Sequence, residues 1–140
     1  MAARLHARSE NDDPRKLREM VQRAANLAAS YELTSVMVGA SGSAGDLLFS
    51  EMVDYIGSAL RVDDAICRLT RERAVFLLAD ADRESATEII ERLMNGFRAN
   101  FTPARDPDVE LAFFEVTPEM SHLTVRDVLP SLFEPAPVTH

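Results

Sequence analysis

The chain has 140 residues, 46% of them apolar and 27% charged, enough for one domain with a buried core. Its formal charge of −8 argues against a general nucleic-acid or anionic-membrane binder, because such proteins present net positive faces, but a local basic site remains open to it. A single cysteine (Cys67), no apolar run of bilayer length and a polar, unsignal-like stretch from Met1 to Asp13 fit a cytoplasmic protein that does not enter a membrane.

Residues 1–13 hold few apolar anchors and are expected to form a mobile tail ahead of a single domain over residues 14–133. Asp13-Pro14 has the chemistry of a helix start, an acidic cap followed by proline at the first helical position. Leu17, Met20, Val21, Ala24, Leu27 and Ala28 then trace one face of a helix to about Tyr31. Thr34 to Val38 is apolar and β-branched, a first strand, and Gly39 to Gly45 is expected to be a flexible loop. Ser43 is the expected cap of a second helix running to about Leu60, with Asp46 near its positive end.

Two apolar runs, Ala65 to Leu69 and Ala74 to Ala79, flank the charged stretch Thr70-Arg71-Glu72-Arg73 and predict a hairpin with a four-residue tip. Cys67 lies in the first arm and reads as a small buried hydrophobe. Asp82 caps a third helix, about Arg83 to Asn100, whose Ala86, Ile89, Ile90, Leu93, Met94 and Phe97 form its apolar stripe. A proline-bearing loop (Thr102 to Asp108), a strand (Val109 to Thr117), a short helix (Thr124 to Phe133) and a Pro-rich tail (134–140) complete the chain. The order predicts an α/β (α+β) fold: a βαββαβ unit with a mixed four-stranded sheet, helices on its faces, and an extra N-terminal helix.

No histidine, cysteine or carboxylate group has metal-ligand spacing, and no catalytic triad is in view. The glycines at 39, 42 and 45 follow a strand but lack the lysine of a phosphate loop. Gly45-Asp46, Arg61-x-x-Asp64, Arg68-Leu69, the hairpin tip and Phe76-Leu77-Leu78 together resemble the GGDEF domain of diguanylate cyclases, over about Thr34 to Thr117. In that family an arginine follows the glycine of the helix-opening pair by sixteen residues, and Arg61 stands at that offset from Gly45.

The resemblance implies a degenerate member, not an enzyme. Thr70-Arg71-Glu72-Arg73-Ala74 occupies the place of Gly-Gly-Asp-Glu-Phe, so the glycines that let backbone approach GTP are gone. Arg73 replaces a metal-binding glutamate, and the first strand ends without a carboxylate to complete the two-metal site. What the resemblance retains is the family's inhibitory site for cyclic di-GMP. Arg61 and Arg92 would grip guanine edges and phosphates, Asp64 would accept from guanine, and Arg68 would assist. It thus implies a cyclic di-GMP receptor with no cofactor that signals to a protein partner, with ligand-linked homodimerisation as an expected output. A nucleotide-free interaction module is the other reading. The residues alone also admit a surface ion pair between Arg61 and Asp64, pairing of Arg92 with Glu88, and a strand-face salt bridge for Arg68.

Overall fold

A computed structural model describes residues 12–101, 108–120 and 122–133. Residues 1–11 of the tail expected at 1–13, the tail at 134–140 and residues 102–107 of the proline-bearing loop lie outside the described residues, while Asp12 bonds to Arg68 and Asp13 caps the first helix. The elements are α1 (Pro14–Tyr31), β1 (Ser35–Gly42), α2 (Leu47–Ala59), β2 (Ala65–Thr70), β3 (Arg73–Leu78), α3 (Arg83–Phe101), β4 (Val109–Val116) and α4 (Val125–Phe133).

The strands form one sheet in the order β2-β3-β1-β4. Every neighbouring pair is antiparallel, which corrects the expectation of a mixed sheet. The crossover through α2 does make β1 and β2 parallel, but β3, the return arm of the hairpin, inserts between them. Each strand alternates its side chains between two cores. Val36, Val38 and Ala40 of β1, with Phe76 and Leu78 of β3, face α2 and α3 through Phe49, Met52, Ile56, Ile90 and Phe97. Met37, Val75, Leu77 and Cys67 face α1 and α4 through Leu17, Val21, Ala24, Val128 and Leu132. The apolar stripe of α1 therefore packs on its own sheet, and with both faces covered the two central strands are almost wholly buried.

Three local features differ from expectation. β1 continues through Gly42 where a loop was expected, because β3 and β4 supply hydrogen-bonding partners on both sides of it. Its glycines answer a packing need instead: a Cβ on Gly39 would fall 2.7 Å from Leu132 Cβ, and one on Gly42 would fall 2.6 Å from the Phe49 ring. Asp46, not Ser43, caps α2, accepting from Leu48 N at 3.0 Å, while Ser43 Oγ donates to Asp108 at 2.7 Å. The hairpin tip is tighter than four residues, since Thr70 pairs with Arg73 and the register slips by one residue between Arg68 and Thr70.

Candidate functional site

The turn between α2 and β2 is organised by one carboxylate. Asp64 closes it by donating its backbone N–H to the Arg61 carbonyl at 3.0 Å. Its side chain is 2% exposed and accepts four hydrogen bonds: Oδ2 from Arg61 N at 3.2 Å and Nε at 3.1 Å, Oδ1 from Arg61 Nη2 at 3.1 Å and Ala79 N at 3.0 Å. A buried carboxylate needs such a set to offset its lost hydration. Arg61 Nη2 also donates to the Ala79 carbonyl at 2.5 Å, which ties the turn to the end of β3. The hydrogen bond to Asp64 pushes the Arg61 pKa above its ordinary value against the opposing effect of burial, so the guanidinium is charged at every physiological pH. It remains 55% exposed, and among the described residues its Nη1 has no hydrogen-bond partner. Val62 beside it is 94% exposed, and Asp63 pairs with Arg23 of α1 at 3.5 Å.

Arg92 is exposed on α3 and, among the described residues, its side chain makes no ion pair; the pairing with Glu88 is not formed. Topology fixes which end of the molecule it occupies. Because β1 and β2 are parallel while β3 and β4 oppose them, α2 and α3 run antiparallel. Tyr55 of α2 packs against Gly96 and lies 5.8 Å, ring centre to ring centre, from both Phe97 and Phe101 of α3. One turn onward along α2 is Ala59, and one turn backward along α3 is Arg92. The Arg92 backbone is thus level with the last turn of α2, from which the Arg61–Asp64 turn departs.

Arg68 belongs elsewhere. It lies toward the far end of β2, where its Nη2 pairs with Asp54 of α2 and its backbone N–H donates to Asp12 at 2.8 Å. With Gly45, Asp46, Leu47, Ser50, Arg71 and Glu72 it lines a cleft of about 240 Å³ beneath the hairpin tip. The tip closes over that cleft through Gly42 N–H donating to the Glu72 carbonyl at 2.8 Å. Gly45 has a φ of +75°, which only a residue without Cβ adopts at no cost. Asp46 and Glu72 bring carboxylates to the cleft, but Arg68 and Arg71 stand beside them. Among the described residues no group of three or more His, Cys, Asp or Glu side chains is placed to hold a metal ion. Arg73 turns the other way, its guanidinium 5.1 Å from the centre of the Phe133 ring. Cys67 is fully buried on the α1 side, where burial pushes its pKa up to about 11 and keeps it a thiol.

Three contacts escaped the sequence reading: Ala79 with Asp64, Asp54 with Arg68, and Asp12 against the edge of β2. Each joins residues far apart in the chain, and only the folded arrangement of strands and helices brings them together. No helix among the described residues is long and apolar enough to cross a membrane.

A family model described as "Diguanylate cyclase, GGDEF domain" matches residues 41–113, just over half of the chain. No curated protein sequence matches it. Among solved structures, the GGDEF domain of FimX from Pseudomonas aeruginosa is similar with a TM-score of 0.66 at 11% identity, over 86% of this chain and 88% of that one. The diguanylate cyclase SiaD from Pseudomonas aeruginosa, solved with its activator SiaC, gives 0.62 at 18% identity, over 88% of this chain and 55% of that one. The GGDEF domain of DgcB from Caulobacter crescentus, solved with c-di-GMP, gives 0.57 at 13% identity over 76% and 74%. At these identities the likeness is one of fold.

Proposed function

The chain belongs to the GGDEF family, and from that premise we propose that it is a receptor for cyclic di-GMP and not a cyclase. The observation that carries the reading is the arrangement of Arg61. A buried, fully hydrogen-bonded Asp64 holds the guanidinium through Nε and Nη2, while the arginine side chain stays 55% exposed. A guanidinium fixed in this way is pre-organised to donate to guanine O6 and N7 or to a phosphate oxygen. Arg92, exposed at the same end of the helical layer, is the second cation that a ligand with two phosphates calls for. Asp64 acts through Arg61, since its own acceptor sites are occupied inside the protein. Arg68, engaged by Asp54 at the far end of β2, takes no part in this grip.

Loss of catalysis is the second half of the proposal. Thr70 and Arg71 carry side chains where close backbone approach to GTP requires none. Arg73 packs toward Phe133 and brings no carboxylate to the cleft, so the charge that two metal ions would neutralise during phosphoryl transfer goes unmet. Signalling would then proceed by protein contact. SiaD, a diguanylate cyclase of this fold, has been solved with a protein activator, and DgcB with c-di-GMP. A ligand shared between two copies would link them as a homodimer.

The alternative is a nucleotide-free interaction module. The saturation of Asp64 favours it, because a purely structural ion pair would also bury its acid and satisfy every lone pair.

Titration calorimetry with cyclic di-GMP and with GTP separates the readings. The receptor gives heat with cyclic di-GMP that weakens about tenfold or more in Arg61→Ala and in Arg92→Ala, and is unchanged in Arg68→Ala. No heat with either nucleotide selects the interaction module. Turnover of GTP with magnesium would overturn the loss of catalysis.

A further inference from the structure

The two edges of the sheet are finished differently. At β2 the edge is engaged at Arg68: Asp12 donates its backbone N–H to the Arg68 carbonyl at 2.9 Å and accepts from Arg68 N with its carboxylate at 2.8 Å. At β4, the opposite edge, no described residue pairs with the eight-residue outer side of the strand. An edge of this length that no described residue covers offers a row of directional donors and acceptors to another strand. Its flanks are open as well. A groove of about 520 Å³ lies between α3 and β4, lined by Ile90, Met94, Val109 and Leu111 among others. Another, of about 380 Å³, lies between α4 and β4, lined by Leu111, Ala112, Leu132 and Phe133 among others. Leu111, on the rim of both, is 36% exposed.

We propose that β4 pairs antiparallel with β4 of a second copy of this chain, about a twofold axis at Ala112, so that the sheet continues from one protomer into the next. The sequence of β4 is self-complementary in that register. Val109, Leu111, Phe113 and Glu115 share one face and Glu110, Ala112, Phe114 and Val116 the other, so a twofold normal to the sheet sets odd residues against odd and even against even. With Ala112 opposite its own copy, Leu111 meets Phe113 and Glu110 meets Phe114. The two glutamates never oppose one another. Glu115 is in any case drawn back, accepting from Arg83 N at 3.0 Å at the start of α3, while Arg83 covers the Phe113 ring at 5.7 Å. The usual guard of an edge strand, charge standing out along it, is reduced to Glu110.

The inference does not rest on the nucleotide site, and its test keeps the two apart. Sedimentation velocity on the full chain without nucleotide is expected to show a concentration-dependent dimer, equally in wild type and Arg61→Ala. Leu111→Lys, at a position already exposed, is expected to keep the fold by circular dichroism and to raise the dimer dissociation constant at least about tenfold, equivalent to about 1.4 kcal/mol. In Ala112→Cys the two thiols would face each other across the axis, where opposed Cα atoms are about 4.5–5.5 Å apart, and mild oxidation should yield a covalent dimer. Cys67 is fully buried and does not compete. A monomer at every concentration overturns the proposal. So does a dimer that survives Leu111→Lys without cross-linking in Ala112→Cys. A dimer that forms only with cyclic di-GMP and disappears in Arg61→Ala overturns it too, while supporting the receptor.

Discussion

Each end of β2 sets an arginine against an aspartate, and the two pairs are buried in opposite senses. At the turn, Asp64 is 2% exposed and Arg61 55%. Toward the tip, Arg68 is 16% exposed and Asp54 71%. Burying the acid makes it an anchor: it must be fully hydrogen-bonded, and the arginine it holds presents its outer edge to solvent. Burying the base under an exposed acid does the reverse, for the guanidinium is turned inward and its charge spent within the fold. A solvent-facing cation held by a buried acid is a device for meeting an anion; a cation covered by an acid is a device for closing a surface.

The largest test of this contrast is removal of the buried acid. Asp64→Ala strips Arg61 and Ala79 of their acceptor at once and is expected to cost about 2–4 kcal/mol, read as a fall in the urea midpoint. A loss below about 1 kcal/mol would mean that the turn does not depend on this carboxylate. Arg61→Ala should cost less, about 1–2 kcal/mol, because the backbone N–H groups of residues 61 and 79 still serve Asp64. Its effect on cyclic di-GMP should be the larger one, so stability and binding separate at this residue.

At the tip end the corresponding figure is small. A double-mutant cycle on Asp54→Ala and Arg68→Ala is expected to give a coupling below about 1 kcal/mol, and one that fades with salt, because one partner is open to water. A coupling as large as that at Asp64 would erase the distinction between the two ends.

Much of this was legible in the sequence, and the omissions share one cause. The stripes Leu17 to Ala28 and Ala86 to Phe97 fixed α1 and α3 because helical periodicity is local. Arg61 and Asp64 were legible as a pair from three-residue spacing within one turn. That Asp64 would be buried was not, because its fourth donor is the backbone of Ala79, fifteen residues on and without a chemical signature. Gly39 and Gly42 read as loop because glycine punctuates loops. In β1 they are the places where α4 and Phe49 press on the sheet, a fact of packing and not of propensity. Arg68 was open between ligand contact and strand-face salt bridge until the packing of α2 on the sheet set Asp54 beside it.

The finest test concerns acid sensitivity at the turn end, where α3, the helix that carries Arg92, begins. Asp82 caps it, its Oδ1 accepting from Ser85 N at 2.8 Å, and that backbone hydrogen bond is the main reason its pKa lies below the ordinary carboxylate value. A lowered folded pKa means that the unfolded chain takes up the proton first. The contribution of Asp82 is therefore whole above the ordinary aspartate range near pH 4 and is lost as pH falls through the folded value. Asp82→Asn keeps a capping oxygen but cannot titrate, so at neutral pH its urea midpoint should lie close to wild type. Between about pH 4 and pH 2 the wild-type midpoint should fall more steeply than that of the variant. Parallel acid limbs would show that the cap is formed no better in the folded protein than in the unfolded chain, and that α3 is held in place by its packing on Tyr55 and the sheet alone.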